Sequence, residues 1–335
     1  MKKAITLSQY QGNIIRALRS LEMKDHELPA PGSTQVLIEI EAAPCNPSDL
    51  AFIQGGYNVR KTLPAIPGFE GSGRVIKTGD HSDAHSLLDK RVSFFTQADT
   101  TGSWASHTLA EASDCIVLLD DMPFEQAACF SVNPFTAYAM IELATHKKSK
   151  TIIQNAAGGQ VARFVQQLAG HEGIQVINIV RKQEHIEKLA EEGFDHLLCS
   201  TDSNFAEELS ALAQQLNAKL AFDAVGGDQS GFIMKAMPDD STLYLYGALG
   251  ARTLSEIPAT DVIFRKKHIS GFNMNEWKSL LSKEKFQDIS SYLQKQFIDK
   301  SLETKIQGVF KLDEYGPALM QYIRNMSGGK IVLRP

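Results

Sequence analysis

Thr151-Ile-Ile-Gln-Asn-Ala-Ala-Gly-Gly159 runs from residues suited to a buried strand into two adjacent glycines. The segment that follows, Gln160 to Leu168, sets Val161, Phe164, Val165 and Leu168 at the spacing of one helix face. A strand, a glycine turn and a helix form the opening unit of a dinucleotide-binding fold. The glycines allow the backbone to approach a pyrophosphate, and the helix N-terminus offers free N–H groups and the positive end of its dipole. The spacing departs from G-x-G-x-x-G, because Gln160 and Ala162 stand where a strict fingerprint has glycines. A glycine pair of this kind also serves as a plain tight turn.

The next apolar run, Gln175 to Val180, reads as a second buried strand and ends in Arg181-Lys182. An acidic residue at this point would take the ribose 2′-hydroxyl of NAD, whereas cations suit the 2′-phosphate of NADP. Arg181-Lys182 alone could equally be a solvated pair capping a strand. Strand, glycines, helix, strand and basic end together favour NADP.

Outward from this core the alternation continues. Helices are expected over 183–192, 205–216 and 229–236, and strands over 195–199, 220–222 and 242–246. Strands alternating with helices call for a parallel sheet covered on both faces. Upstream the chain is β-rich, with a first strand at the N-terminus and others at 35–41, 71–76, 91–95 and 115–119. The stretch holding Pro44, Pro47, Pro64 and Pro67 reads as loop. Phe124–Phe130 and Pro134–Ala144 read as helices, with Pro134 at N1. Downstream lie an amphipathic helix near Phe286–Phe297 and a closing strand at Lys330-Ile-Val-Leu. The expected organisation is α/β: a β-rich catalytic domain over 1–125, a doubly wound nucleotide-binding domain over 126–270, and a return to the first domain over 271–335.

With 335 residues the chain can build two domains, and 43% hydrophobic with 22% charged residues is ordinary for a globular protein. A net charge of −5 argues against general nucleic-acid binding. No run approaches the roughly 18 apolar residues of a membrane span. The N-terminus has the charge of a signal peptide without its apolar core, so a cytoplasmic location is expected. The four cysteines, Cys45, Cys115, Cys129 and Cys199, form no C-x-x-C pair and give no zinc-ribbon or disulfide pattern. His81 and His85 have metal-pair spacing, but within a polar stretch that reads as a solvated loop.

Several phrases along nearly the whole chain resemble the medium-chain dehydrogenase/reductase superfamily: Asn46-Pro-Ser-Asp, Gly68-Phe-Glu-Gly-Ser-Gly, Asn133-Pro-Phe-Thr-Ala-Tyr, Ala224-Val-Gly-Gly and Gly329-Lys-Ile-Val. Within it the chain most resembles mitochondrial-type trans-2-enoyl thioester reductases, alongside quinone oxidoreductase-like proteins. The closer likeness rests on Asn46 to Tyr57, Ser131 to Tyr138, Ile153-Gln-Asn-Ala, Val180-Arg181 and Ile263 to Phe272, running on to Trp277. The resemblance implies a GroES-like catalytic domain and a Rossmann-type NADP-binding domain. Zinc-dependent members hold a catalytic metal with a cysteine and a histidine of the first domain. Here Asn46 stands at the cysteine position, Phe69 replaces the histidine before Glu70, and Lys77 to Val92 contains no cysteine. A zinc-independent enzyme is therefore expected.

Without a metal, the implied chemistry is hydride addition to the β-carbon of an α,β-unsaturated carbonyl, which needs a hydrogen-bond or proton donor for the developing enolate. Tyr57 stands where the resembled reductases carry a catalytic tyrosine, and a phenol is protonated at neutral pH. Trp277 resembles a substrate-pocket tryptophan, and Asn46 would line the nicotinamide end, while Asp49 more plausibly anchors its loop. On the cofactor side the candidates are Thr136, Asn155, Gly158, Gly159, Gln160, Val161, Arg181, Lys182, Tyr246, Gly247, Phe272 and Lys330. Arg163 could add a phosphate contact or be an exposed helix residue. Arg60 and Lys61, read as surface cations, could meet an anionic thioester carrier such as coenzyme A or acyl carrier protein. The resemblance implies a homodimer, joined through an edge strand near Leu254–Phe264. Two rivals stay open: a quinone or small-enone reductase on the same fold, and a non-catalytic NADPH-binding sensor, which the irregular glycine loop would favour.

Overall fold

The computed structural model describes residues 2–335, and the chain divides into two compact units. In chain order the strands are β1 Lys3–Leu7, β2 Leu21–Asp25, β3 Gln35–Pro44, β4 Glu70–Thr78, β5 Arg91–Phe95, β6 His107–Glu111 and β7 Cys115–Val117. Then follow β8 Thr151–Gln154, β9 Gln175–Val180, β10 Leu197–Cys199, β11 Leu220–Asp223, β12 Thr242–Leu245 and β13 His268–Gly271. The chain closes with β14 Ile306–Lys311 and β15 Lys330–Arg334.

The first unit comprises residues 2–133 and 283–335. Its main sheet has the order β14-β15-β3-β4-β5-β7, with β6 added to β3, and β1-β2 form a separate antiparallel pair. The long β3 organises it, pairing antiparallel with β4, β6 and β15. Val36, Ile38 and Ile40 of β3 are buried with Phe52, Phe69, Phe94 and Trp104 in one core cluster. The stretch expected as proline-rich loop holds a helix instead, Pro47–Ile53. Pro47 costs nothing in the first turn, where its N–H would have no intrahelical partner, and Asp49 accepts from the Asn46 N–H at 2.8 Å. Gly68 has φ +85°, and a Cβ there would lie 2.4 Å from Ser103 Oγ and 2.9 Å from the Trp104 nitrogen. Only glycine fits where these two loops press together.

The second unit, Pro134–Ser282, is built on a six-stranded, all-parallel sheet in the order β10-β9-β8-β11-β12-β13. Both faces are covered, so β8, β9 and β11 read in sequence as continuous apolar runs. The chain leaves β8 toward β9 on one side, while β11 flanks β8 on the other. The C-terminal end of β8 is therefore a topological switch point, where open α/β sheets bind ligands.

The units meet at 133/134 and 282/283, not at the sequence-based boundaries of 125 and 270. The helix Phe124–Ala128 packs on β3 and β4, which assigns it to the first unit. The helix Met274–Ser279 is tied to the second unit, because Trp277 Nε1 donates to Glu142 Oε2 at 2.8 Å. The expected edge strand near Leu254–Phe264 needs correction. Ala259–Phe264 is a helix, and the sheet edge is β13, a strand the sequence pattern did not reveal.

Candidate active site

In the first unit a buried polar cluster forms where helix Pro47–Ile53 meets the start of β4 and of β15. Asn46 stands at its centre. Its Nδ2 donates to Glu70 Oε1 at 2.8 Å, and its Oδ1 accepts from Lys330 Nζ. Glu70 Oε2 also accepts from Ser131 Oγ at 3.0 Å. Asn46 therefore has both ends of its amide engaged by buried charged groups, which fixes its orientation. Lys330, expected at the cofactor, is 5% exposed and spends its ammonium on Asn46. Asn46, expected at the nicotinamide end, and Lys330 thus lie together in this unit as partners of each other.

Asp49 is wholly buried, and its Oδ1 has no hydrogen-bond partner. Burial is the largest influence on its carboxyl and the Asn46 N–H opposes it; with Glu70 adding to burial, the group is pushed up to about 7. Between roughly pH 4 and 7 the folded chain thus keeps a proton that the unfolded chain has released. Stability is highest below the unfolded value and falls as pH rises through the folded one, by at most about 4 kcal/mol from this group. Urea melts between pH 5 and 7.5 should show that decline, and Asp49→Asn should flatten it.

Tyr57 follows the helix and is half-buried. Its ring stacks on Phe69 with centroids 5.2 Å apart and planes at 30°. Burial first, then the Asp49 charge, raises its phenol above the ordinary value, while the polar side chain of Gln97 works against the rise. The phenol is thus a protonated donor at neutral pH. Arg60 is exposed, donates to Gly55 O at 3.3 Å and lies over the Tyr10 ring. Lys61 is not the surface cation expected. It is 4% exposed, and its ammonium donates inward to Ile66 O at 3.3 Å and to Thr101 O. The two cations therefore do not form one patch for an anionic carrier.

The second unit gathers most of the expected cofactor residues at the C-terminal ends of its strands. Gly158 and Gly159 follow β8, with Gly159 as the N-cap of helix Gln160–His171 and no side chain closing that end. A Cβ on Gly159 would meet Ala156 O at 3.0 Å, so the turn is as tight as an anion cradle requires. Gln160 and Val161 occupy the first helical positions. Asn155 is fully buried: its Nδ2 donates to Asp223 Oδ1 at 2.5 Å and its Oδ1 accepts from the Ala224 N–H at 2.7 Å.

Asp223, at the end of β11, is a residue the sequence reading missed. Besides Asn155 it accepts from the Val225 N–H at 2.7 Å, the Gly226 N–H at 3.0 Å and Ser230 Oγ at 2.5 Å. It shapes the Ala224-Val-Gly-Gly turn, in which Gly226 and Gly227 both have positive φ. The only sequence signal was that glycine pair. Tyr246 and Gly247 follow β12: the Tyr246 N–H donates to Asp223 O at 3.0 Å, and a Cβ on Gly247 would lie 2.7 Å from Ala224 O. Phe272 continues β13, its N–H on Leu245 O at 2.7 Å and its ring edge-on to Phe222.

Arg181 and Lys182 stand exposed at the end of β9. Lys182 pairs with Glu184 at 3.0 Å, an exposed contact of little strength. Arg163 is half-buried and not an exposed helix residue: its guanidinium pairs with Glu192 and lies over Phe194. Thr136 is buried in helix Asn133–His146. Trp277, besides its bond to Glu142, faces the Tyr138 ring at 6.2 Å, so its indole is braced by that same helix.

Residues 32–119 match the alcohol dehydrogenase GroES-like domain, and residues 161–293 match the zinc-binding dehydrogenase family. The mitochondrial enoyl-[acyl-carrier-protein] reductase of Caenorhabditis elegans is 31% identical over 298 residues, which span 86% of this chain and 83% of that protein. This chain belongs to the medium-chain dehydrogenase/reductase superfamily. It is an oxidoreductase of that superfamily, with a GroES-like unit and a Rossmann-type parallel sheet. Among solved structures, a candidate NADPH:quinone reductase of Mesorhizobium loti superposes with a TM-score of 0.93 at 33% identity, covering 100% of this chain and 98% of the other. The mitochondrial 2-enoyl thioester reductase Etr1p/Etr2p heterodimer of Candida tropicalis gives 0.79 at 22% identity over 100% and 99%, a likeness of fold.

Proposed function

We propose that this protein is an NADPH-dependent reductase of activated carbon–carbon double bonds, acting on trans-2-enoyl thioesters. The observation that carries the reading is Tyr57: a half-buried phenol, held protonated by burial and Asp49 and stacked on Phe69. The likeness to the Caenorhabditis elegans enoyl reductase supports it.

The second unit fits a dinucleotide. The Gly159 turn is tight, a Cβ there meeting Ala156 O at 3.0 Å, the helix behind it turns its N-terminus to that turn, and Arg181 offers a fork suited to a 2′-phosphate. Bound NADPH would supply a hydride to the β-carbon of the substrate. The Tyr57 phenol would then donate to the carbonyl oxygen as negative charge develops there, the step that a positioned acid lowers most. Asn46 cannot turn freely, because Lys330 and Glu70 hold its amide. Asn46 and Phe69 stand where zinc enzymes of the superfamily carry ligands, and neither side chain suits zinc, which supports a zinc-independent reaction. Replacing Arg181 by serine should weaken NADPH about 10- to 100-fold, the loss of a charge-assisted phosphate contact. NADH binding should change little; fluorescence titration with both cofactors measures the difference.

Following NADPH oxidation with crotonyl-CoA, a longer trans-2-enoyl-CoA and 9,10-phenanthrenequinone in parallel tests the reading. Thioester turnover is expected to dominate. Quinone turnover without thioester turnover would favour the second reading, a quinone reductase, to which the Mesorhizobium loti structure points. NADPH binding without turnover of any of them would favour a sensor.

We place a homodimer contact on the second unit, where β13 is an open sheet edge beside Ile263 and Phe264, 65% and 76% exposed. An unpaired edge flanked by apolar side chains invites pairing with another copy. Phe264→Asp should shift sedimentation from dimer toward monomer, and an unchanged profile would remove that contact from the account.

A further inference from the structure

Lys61 is a buried cation that the proposed reaction does not use. Desolvating an ammonium is costly, so a buried one needs donors' partners and a purpose. Its Nζ donates to Ile66 O and Thr101 O and sits over two aromatic faces, Phe52 at 5.6 Å and Phe69 at 5.3 Å. Its backbone is pinned as well: Tyr10 Oη accepts from the Lys61 N–H at 2.8 Å and donates to Lys61 O at 2.9 Å. The acidic groups acting on the ammonium are Asp49 and Asp99.

These contacts join two loops. One, residues 54–69, carries Tyr57. The other, residues 96–104, carries Asp99 and Thr101. Lys61 holds the Thr101 carbonyl, and Thr101 Oγ1 is 2.8 Å from Thr96 Oγ1. A second tie between the loops runs from the Thr62 N–H to Asp99 Oδ1 at 2.5 Å. Phe69, under the ammonium, is the ring on which Tyr57 stacks. The Tyr57 ring is thus located by Phe69, and Lys61 both lies over that supporting ring and ties the loop of Tyr57 to its neighbour.

We infer that Lys61 is a positioning residue for Tyr57: with Asp99 as a second tie it latches the two loops together, and it holds the Phe69 ring on which the phenol stacks. This rests on the reading of Tyr57 as the donor in thioester reduction. A donor displaced by about 1 Å can lose of the order of 100-fold in rate. Either residue should therefore matter only while the phenol is there to be positioned.

A double-mutant cycle in the full chain tests this, with kcat and KM for crotonyl-CoA measured under saturating NADPH. In the Tyr57 background, Lys61→Met is expected to lower kcat by about 10- to 100-fold, and Asp99→Ala, which removes the second tie, by about 3- to 10-fold. In the Tyr57→Phe background each should lower it by less than about twofold, since positioning an absent hydroxyl has no value. Equal losses in both backgrounds, or no loss beside Tyr57, would overturn the inference and leave Lys61 as a loop brace. Asp99→Ala alters an exposed loop side chain, so its half of the cycle decides the matter even where Lys61→Met fails to fold. Tyr57→Phe with undiminished turnover would sink the donor reading itself, and this inference with it, an outcome distinct from additive losses.

Discussion

Tyr57→Phe is expected to lower kcat/KM for an enoyl thioester by roughly 10²- to 10⁴-fold, the range spanned by a positioned general acid. The substitution is well suited to isolate the hydroxyl. Phenylalanine keeps the ring that stacks on Phe69 at 5.2 Å, so the loop loses one oxygen but not its packing. NADPH affinity should stay within about twofold, because a lost transition-state contact lowers kcat without weakening ground-state binding. Turnover of 9,10-phenanthrenequinone should fall far less, since hydride transfer to a quinone requires no acid poised at a thioester oxygen. Steady-state kinetics with both substrates measure the contrast. Equal losses with both would point to a structural tyrosine.

Asp223→Ala should be the most damaging single change in the second unit. Four donors converge on that carboxylate: Asn155 Nδ2, the Val225 and Gly226 N–H groups and Ser230 Oγ. Alanine leaves them without their acceptor in a fully buried place, where each orphaned group costs about 1–3 kcal/mol before relaxation. A net loss of about 3–5 kcal/mol is expected, the scale of a broken buried polar network. The Ala224-Val-Gly-Gly turn and Asn155 lose their anchor together, so NADPH affinity should fall with stability. Urea denaturation with and without NADPH separates the two effects. Asp223→Asn, which keeps an acceptor at Oδ1, should cost much less.

The alternation of the second unit was open to reading because parallel strands buried on both faces are apolar throughout. Ile152-Ile153 and Val176 to Val180 carry that signal without help from long-range contacts. The edge strand β13 is exposed at His268, Ser270 and Gly271, so no periodicity marked it, and the more apolar Val262-Ile-Phe264 drew attention instead. Those residues turned out to face outward from a short helix. The helix Pro47–Ile53 was hidden by proline density, although Pro47 sits at the one helical turn that tolerates it.

The site residues divide along the same physical line. Gly159, Asn155 and Gly247 were named from the strand ends on which they stand and Phe272 from the resemblance alone; topology brings all four to the C-terminal edge of the parallel sheet. Lys61 was read as a surface cation because a lysine beside an arginine usually is one. Its burial depends on carbonyls of Ile66 and Thr101 and on two rings, partners that leave no local pattern. The hydrogen bond of Lys330 to Asn46 was hidden for a related reason, because its partner lies nearly the whole chain away in sequence. Asp223 was missed because an acid between Phe222 and Ala224 signals nothing until the turn closes on it.

The central claim is hydride delivery to the β-carbon of an enoyl thioester, and isotope transfer tests it most directly. Crotonyl-CoA would be incubated with the enzyme and NADPH deuterated at nicotinamide C4, in ordinary water, and the product read by NMR. The account predicts butyryl-CoA with deuterium at C3 and a solvent hydrogen at C2. Deuterium consumed without appearing in the acyl chain, or no saturated product while a quinone is reduced, would contradict it.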